Sequence, residues 1–108
     1  MTVVVRAVTP EDVSSLLRLL RAKAQSDGVP QQLHATEDNL RTELFRSGAT
    51  ARAIVATIEE EVAGMATYFQ TFSSFLMKPG LWLDDLYVDE ARRKCGIGRE
   101  LPPLRGAA

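Results

Sequence analysis

The sequence has few residues with distinctive reactive side chains: one cysteine and one histidine among 108 residues. A single cysteine excludes an intrachain disulfide and fits a reducing compartment. Neither sign of charge dominates, because 13 lysines and arginines face 14 acidic residues and the formal net charge is -1. This balance removes the main electrostatic reason to expect a nucleic-acid-binding protein.

Long apolar runs are also missing. No stretch approaches the ~18 apolar residues of a membrane span. The start of the chain has neither the basic leader nor the apolar core of a signal peptide. We therefore expect a cytoplasmic protein with no membrane partner.

What remains is the composition of an ordinary globular domain, with 45% apolar and 25% charged residues. The length is below the ~150 residues of an average domain, which predicts a single domain over residues 1–108. No repeat, low-complexity tract or linker interrupts it.

The N-terminal half predicts a strand followed by two helices. β-branched residues indicate a strand over Thr2–Val8. Thr9 is a suitable N-cap for a first helix, which should end by Asp27–Pro30. A second helix is predicted from Glu37 to about Arg46. Apolar residues spaced by three and four define the buried stripe of the first helix: Val13, Leu16, Leu17, Leu20 and Ala24.

The C-terminal half predicts three strands, at Ala53–Glu59, Val62–Gln70 and Leu81–Val88. A charged turn at Glu60 and Glu61 joins the first two, and Thr71–Gly80 is predicted as a loop or strand end. Gly64 inside its strand indicates a bulge or a close backbone approach. This element order predicts an α/β or α+β fold, with the helices packed on a largely antiparallel sheet.

A basic, glycine-containing segment, Arg92-Arg93-Lys94-Cys95-Gly96-Ile97-Gly98, follows the last predicted strand and precedes a predicted helix. Glycines let the backbone turn tightly and approach a ligand. The start of a helix presents free N–H groups and a positive dipole end. Such a turn binds phosphate oxygens. On the glycines alone, an ordinary loop with solvated basic residues explains the segment equally well.

The residues around this segment resemble the GNAT acetyltransferases. The pattern Arg93-x-x-Gly96-x-Gly98, directly after Leu81–Val88, is similar to the acetyl-CoA motif between the fourth strand and third helix of that family. Val5–Asp12 is similar to its opening strand and capped first helix. The resemblance extends over residues 3 to 101. It implies a mixed, mainly antiparallel sheet with N-terminal helices, and transfer of an acetyl group from acetyl-CoA to a primary amine.

Within the family, the chain most resembles the diamine and polyamine (spermidine/spermine-type) N-acetyltransferases. It shares with them the Thr36-Glu37-Asp38 helix start, the long stretch Tyr68–Pro79 and an acidic pair, Asp84 and Asp85. This branch implies a diamine, polyamine or amino-acid-like acceptor.

The resemblance also implies a cofactor site. In the family, the pyrophosphate lies on the backbone N–H groups of the glycine-containing turn, and the pantetheine arm pairs like an extra strand with the end of the fourth strand. A backbone N–H group there would stabilise the oxyanion of the tetrahedral intermediate. The cofactor-binding residues implied here are Leu86, Tyr87, Val88, Arg93, Lys94, Cys95, Gly96, Ile97, Gly98 and Arg99. We predict no metal site.

Acidic residues are the candidates for binding the amine. A primary alkyl amine, with a pKa near ~10.4, arrives protonated, and a nearby carboxylate can hold it and help remove its proton. Adjacent residues on a regular strand face opposite sides, so only one of Asp84 and Asp85 points into the site unless a bulge intervenes. The family pattern implies Asp84 as the catalytic and substrate-binding acid; as strand-end residues, both could instead be solvated acids. Asp27 is a further substrate-binding candidate, or simply the turn residue before Gly28.

The C-terminal end departs from the family pattern. The family fold continues past the glycine-containing turn with a full helix, further strands and another helix that often carries a tyrosine acid. Here Pro102 and Pro103 predict that a helix ends near Leu101. We therefore expect a C-terminally truncated fold with an incomplete sheet. Its last strand edge would need covering, which a homodimer could provide.

Three functions remain open at this point. The first is an active N-acetyltransferase. The second is an inactive, truncated acetyltransferase remnant that binds the cofactor or dimerises. The third is an unrelated α/β domain that binds a nucleotide through the same turn.

Overall fold

Four strands form one antiparallel sheet in the computed structural model, which describes residues 2–90. The strands are β1 (Val3–Ala7), β2 (Ala51–Ile58), β3 (Glu61–Ser73) and β4 (Lys78–Val88). They lie side by side in the order β1-β2-β3-β4, and each neighbouring pair is antiparallel. The predicted α/β architecture with a mainly antiparallel sheet is confirmed.

Two α-helices connect β1 to β2. A 3₁₀ turn at Pro10–Asp12 leads into α1 (Val13–Ser26), and a second 3₁₀ turn at Pro30–Gln32 precedes α2 (Glu37–Phe45). The backbone N–H of Asn39 donates to the Thr36 hydroxyl at 3.1 Å, which caps α2 as the sequence indicated. Within residues 2–90 no helix has the length and hydrophobicity to cross a bilayer.

The turn between β2 and β3 lies one residue earlier than predicted. Glu59 and Glu60 form it, with φ angles of 52° and 70°, and Glu61 already belongs to β3. Two consecutive residues with positive φ are the signature of a type I′ turn, whose twist matches that of antiparallel strands. The charged residues predicted a turn at this place, but the positive φ angles of Glu59 and Glu60 determine its position and the strand register.

Residues 71–73 form a strand end, one of the two alternatives predicted for Thr71–Gly80, but the last residues of this stretch belong to the next strand, so the loop is shorter than predicted. β3 continues to Ser73 and β4 begins at Lys78, and Phe72 pairs with Pro79. Proline and glycine weaken a central strand, but β4 is an edge strand of the described sheet, where a missing N–H donor is tolerated. The result is a long β3–β4 hairpin.

Large apolar side chains are exposed toward the end of this hairpin. We call Phe72, Phe75, Leu76, Met77 and Trp82 the apolar hairpin tip. Phe75 is 98% exposed, and Leu76 and Met77 are 70% and 72% exposed. Contiguous exposed apolar surface is typical of interaction sites.

The main core lies between α1 and the helix-facing side of the sheet. Leu16 and Leu19 are fully buried against Val55 and Met65. The helix therefore buries a wider face than the stripe read from the sequence, because Leu19 joins it. Alternate residues of β2 face the other side, where Ala56 and Ile58 form a second buried cluster with Ala63.

One ion pair joins β1 to the start of α1. The Arg6 guanidinium donates to both carboxylate oxygens of Asp12, at 2.6 and 3.0 Å. The backbone N–H and the hydroxyl of Thr9 also donate to Asp12, at 2.8 and 3.0 Å. The hydrogen bonds from Arg6, followed by those from Thr9, outweigh desolvation and lower the pKa of Asp12 to about 2.

We expect Asp12→Asn to reduce the free energy of unfolding by roughly 2 kcal/mol at neutral pH. Asp12 has a lower pKa in the folded chain than in the unfolded chain. Its contribution is therefore complete above pH ~5 and is lost as the pH falls toward ~2. Urea unfolding of the two proteins across this range should give curves that converge at low pH.

The matched control is Glu11→Gln, in the same turn, where the side chain is exposed. It should change the unfolding free energy by less than about 0.5 kcal/mol. Equal losses in the two variants would contradict the special role of the Arg6–Asp12 pair.

Candidate functional site

A small cavity lined by apolar residues and a few charged ones lies between the end of α1, the loop that follows it and β4. Its volume is about 150 Å³. It is lined by Leu20, Lys23, Ala24, Asp27, Val29, Gln32, Leu33 and Asp85. We call it the acidic cavity, because its charged lining residues are two aspartates and one lysine. Apolar walls around a few converging charges are typical of a small-molecule site.

A β-bulge in β4 brings two consecutive acids to this side of the sheet. Thr67 of β3 pairs with Asp85 and Tyr68 pairs with Leu83, so Asp84 is the extra residue. Counted from the hairpin, Asp84 falls on the helix-facing side; counted from the end of β4, Asp85 does. From the sequence, both acids could face the same side only if a bulge intervened, and this bulge is present. It removes the alternation that would separate the two carboxyl groups.

Asp85 is held in place from two directions. The Thr67 hydroxyl donates to its Oδ2 atom at 3.1 Å. The Lys23 Nζ atom of α1 lies 3.8 Å from its Oδ1 atom. A half-buried carboxylate with a cross-strand hydrogen bond and a nearby ammonium group has a fixed position, so Asp85 forms the sheet-side wall of the cavity.

Asp84 is the more exposed of the two acids, and its environment favours its protonated form. Desolvation is the largest cause that raises its pKa; the charge of Asp85 and a hydrogen bond with that carboxyl group add to the effect, and Lys23 opposes it. A raised carboxyl pKa makes Asp84 a stronger base than an ordinary surface aspartate.

Asp27 combines the two roles that the sequence left open. It is the C-cap residue of α1, followed by Gly28 with a φ of 74°, so it does belong to a turn. It also lines the acidic cavity. Its Oδ2 atom lies 2.7 Å from the Lys23 ammonium.

Lys23 is the charged residue of this site that sequence reasoning missed. Its ammonium group lies close to carboxylates from both sides of the cavity, Asp27 on α1 and Asp85 on β4. The hydrogen bond to Asp27 is the main cause that raises the pKa of Lys23, which therefore stays charged. The four-residue spacing of Lys23 and Asp27 could have indicated their pairing, because such residues share a helix face.

The predicted cofactor-binding residues divide into two groups. Leu86, Tyr87 and Val88 form the half-buried end of β4, opposite residues 64–66 of β3. The remaining ones lie outside the described residues: Arg93, Lys94, Cys95, Gly96, Ile97, Gly98 and Arg99. Within residues 2–90, no group of three His, Cys, Asp or Glu side chains could hold a metal ion.

A sequence profile described as "Acetyltransferase (GNAT) family" matches residues 16–101. This range contains α1 from Leu16 onward, strands β2 to β4, both acids of the bulge and the glycine-containing segment. The chain therefore belongs to the GNAT acetyltransferase family, as its sequence motif predicted.

The individual relatives have low sequence identity to this chain. The chain is 26% identical over 107 residues to a thialysine N-epsilon-acetyltransferase from Bos taurus; this covers 92% of the chain but 62% of the relative. The chain thus spans less than two thirds of the length of that enzyme.

Solved structures share the fold. An aminoglycoside acetyltransferase from an uncultured soil metagenomic sample has a TM-score of 0.74 and 20% identity, covering 94% of this chain and 65% of its own. A ribosomal-protein-alanine N-acetyltransferase from Brucella melitensis has a TM-score of 0.76 and 18% identity, with coverages of 96% and 69%. At these identities the similarity supports the fold alone.

The two acids of the bulge should affect stability in opposite directions. Asp84→Asn should leave the melting temperature unchanged or raise it by a few degrees at neutral pH, because it removes a disfavoured carboxylate. Asp85→Asn should lower it by a few degrees, because it weakens the contacts with Lys23 and Thr67. Thermal unfolding followed by circular dichroism measures both.

The effect of Asp84→Asn also has a predicted pH dependence. A carboxyl group with a raised pKa destabilises the folded chain when it is ionised, so the advantage of the Asp84→Asn variant should disappear as the pH falls and the wild-type carboxyl group becomes protonated. A lower melting temperature for Asp84→Asn at neutral pH would contradict this account of the site.

Proposed function

We propose that this protein is an N-acetyltransferase that transfers the acetyl group of acetyl-CoA to a primary amine of a small acceptor. The observation that carries the proposal is the family match over residues 16–101, which includes both the acids of the bulge and the glycine-containing segment. The amine nitrogen attacks the thioester carbonyl, a C–N bond forms and the C–S bond breaks. The nitrogen loses a proton, and the leaving thiolate gains one from water.

The cofactor would be held by the end of β4 and the segment that follows it. We propose that Leu86, Tyr87 and Val88 contact the pantetheine arm through their backbone. Arg93 and the backbone N–H groups of residues 94–99 would hold the pyrophosphate. The family motif in the sequence supports this assignment.

Asp84 is proposed as the group that orients and deprotonates the amine. The acceptor arrives as an ammonium ion, with a pKa near ~10.4, and must lose a proton before it attacks. Asp84 meets this requirement in two respects. Its pKa is raised, and it lies in the bulge beside Asp85, which lines the acidic cavity.

The acceptor class is proposed from the charge of the cavity. Asp27 and Asp85, which line the cavity, and Asp84 beside it outnumber Lys23, so the site favours a cation such as a diamine, a polyamine or an amino-acid-like amine. Two of the similar proteins are named for acetylation at a nitrogen, one of thialysine and one of an alanine in a ribosomal protein. Both names indicate an amine acceptor, but one acceptor is a small amino acid and the other is a protein.

Location and other partners stay predictions from the sequence. We propose a cytoplasmic enzyme that acts without nucleic acid or membrane, on the basis of its single cysteine and its nearly balanced charge.

Asp84→Asn should lower kcat by about 10²-fold or more, the usual range for losing a positioned base, and change the Kd for acetyl-CoA less than about twofold. The assay combines thiol release, with 1,4-diaminobutane, spermidine and lysine as acceptors, and calorimetric titration with acetyl-CoA. Glu43→Gln, an exposed acid on α2, is the matched control and should leave both quantities unchanged.

Two outcomes would count against this proposal. Unchanged turnover in Asp84→Asn would remove Asp84 from the mechanism. A folded wild-type chain that binds acetyl-CoA but transfers no acetyl group to any amine would favour an inactive remnant.

We also propose that two copies associate as a homodimer through the apolar hairpin tip. Exposure of Phe75, Leu76 and Met77 in one continuous turn supports this proposal, because burial of such surface drives association. A symmetric contact would let each tip cover the other.

Light scattering during size-exclusion chromatography should give the mass of a dimer for the wild type and of a monomer for the double variant Phe75→Ser, Leu76→Ser. Val4→Thr is the control, since Val4 is 48% exposed but lies on β1, away from the hairpin. A wild-type monomer, or a dimer that persists in the double variant, would contradict this assignment.

A further inference from the structure

The acidic cavity already contains an ammonium group, that of Lys23. Its Nζ atom lies 2.7 Å from Asp27 and 3.8 Å from Asp85, between the helix and the sheet. An alkyl ammonium on a flexible four-carbon stem has the same chemistry as one end of a protonated diamine. Lys23 therefore makes the contacts with Asp27 and Asp85 that a second ammonium group of an acceptor could make.

We propose that Lys23 is an internal competitor of the acceptor and determines specificity among amines. An acceptor with a second ammonium group must displace Lys23 from Asp27 in order to use that carboxylate. An acceptor with a single ammonium group can bind at Asp84 and leave Lys23 where it is. This inference rests on the proposed function, because it assigns the acidic cavity to the acceptor.

The ion pair is strong enough to occupy the site and weak enough to be displaced. The Lys23 side chain is 26% exposed and that of Asp27 is 51% exposed, so water and salt reach the pair. Exposed pairs at this helical spacing contribute little to stability. The helix nevertheless keeps the ammonium group next to its partners, which gives it a high effective concentration against a free ligand.

Loss of the lysine charge would change the cavity in two ways. Asp27 and Asp85 would lose their contacts with the Lys23 ammonium group, and both would become available to a ligand. The local charge would also become more negative by one unit, which attracts a dication more than a monocation. The same interactions weaken at high ionic strength.

Lys23→Met is the direct test, because it keeps most of the apolar stem and removes the charge. In calorimetric titrations at low salt, without acetyl-CoA, it should bind 1,4-diaminobutane about tenfold more tightly than the wild type. Binding of butylamine should change less than about twofold. In the transfer assay, KM for the diamine should fall several-fold more than KM for butylamine, a difference between acceptors that a structural role of Lys23 would not produce.

Arg21→Met is the matched control. It removes one positive charge from the exposed side of the same helix, and Arg21 does not line the cavity. It should leave the affinity for 1,4-diaminobutane within about twofold of the wild-type value. Equal effects of Arg21→Met and Lys23→Met would overturn the proposal, because the cause would then be net charge alone.

A measurement on the wild type covers the case in which Lys23→Met does not fold. In nuclear magnetic resonance spectra of the lysine side chains, saturating 1,4-diaminobutane should shift the Lys23 signals, and butylamine should leave them in place. Unshifted Lys23 signals at saturating diamine would overturn the proposal.

The failure of this inference is distinguishable from the failure of the proposed function. Acetyl transfer with no gain in diamine affinity in Lys23→Met rejects the role of Lys23 and leaves the transferase. A gain in diamine affinity with no acetyl transfer in any protein supports the competition and rejects the transferase.

Discussion

The β-bulge at Asp84 is the constraint on which the rest of the site depends. A regular strand would direct Asp84 and Asp85 to opposite sides of the sheet, and only one could meet α1. The extra residue brings both carboxyl groups to the helix side and next to each other. The bulge therefore places Asp84 beside Asp85, the residue that faces Lys23 across the cavity, and desolvation, followed by the charge of Asp85, raises the pKa of Asp84.

The site is also a compromise between stability and binding. Desolvation disfavours the ionised form of Asp84, and repulsion between the two neighbouring carboxylates adds to this cost. Lys23 offsets part of it from across the cavity, and the Thr67 hydroxyl fixes Asp85. A cation entering the cavity would supply the remaining compensation. Under the proposed function, this electrostatic cost would contribute to the affinity for the acceptor's ammonium group, since binding sites commonly depart from optimal stability.

The sequence predicted much of this fold, because most of its signals are local. Apolar spacing in α1, the Thr36 cap of α2 and the β-branched residues of β1 each depend on neighbouring residues, and all three elements are confirmed. The extended hairpin was missed because Pro79 and Gly80 are turn residues by local preference. Their strand conformation comes from pairing with Phe72 and Thr71 across the hairpin.

The candidate site was also predicted only in part, because it depends on contacts between residues far apart along the chain. The acidic pair was visible in the sequence, but the bulge that unites it depends on the register between β3 and β4, which no local pattern specifies. The role of Lys23 depends on its contact with Asp85, a residue far away along the chain, so the residues around it do not reveal that role. Its partner Asp27 is fixed by the end of α1, where Gly28 adopts a positive φ and the chain leaves the helix. The end of α1 and the bulge of β4 therefore place carboxylates on opposite walls of the cavity. Two carboxylates in this arrangement favour an ammonium group between them.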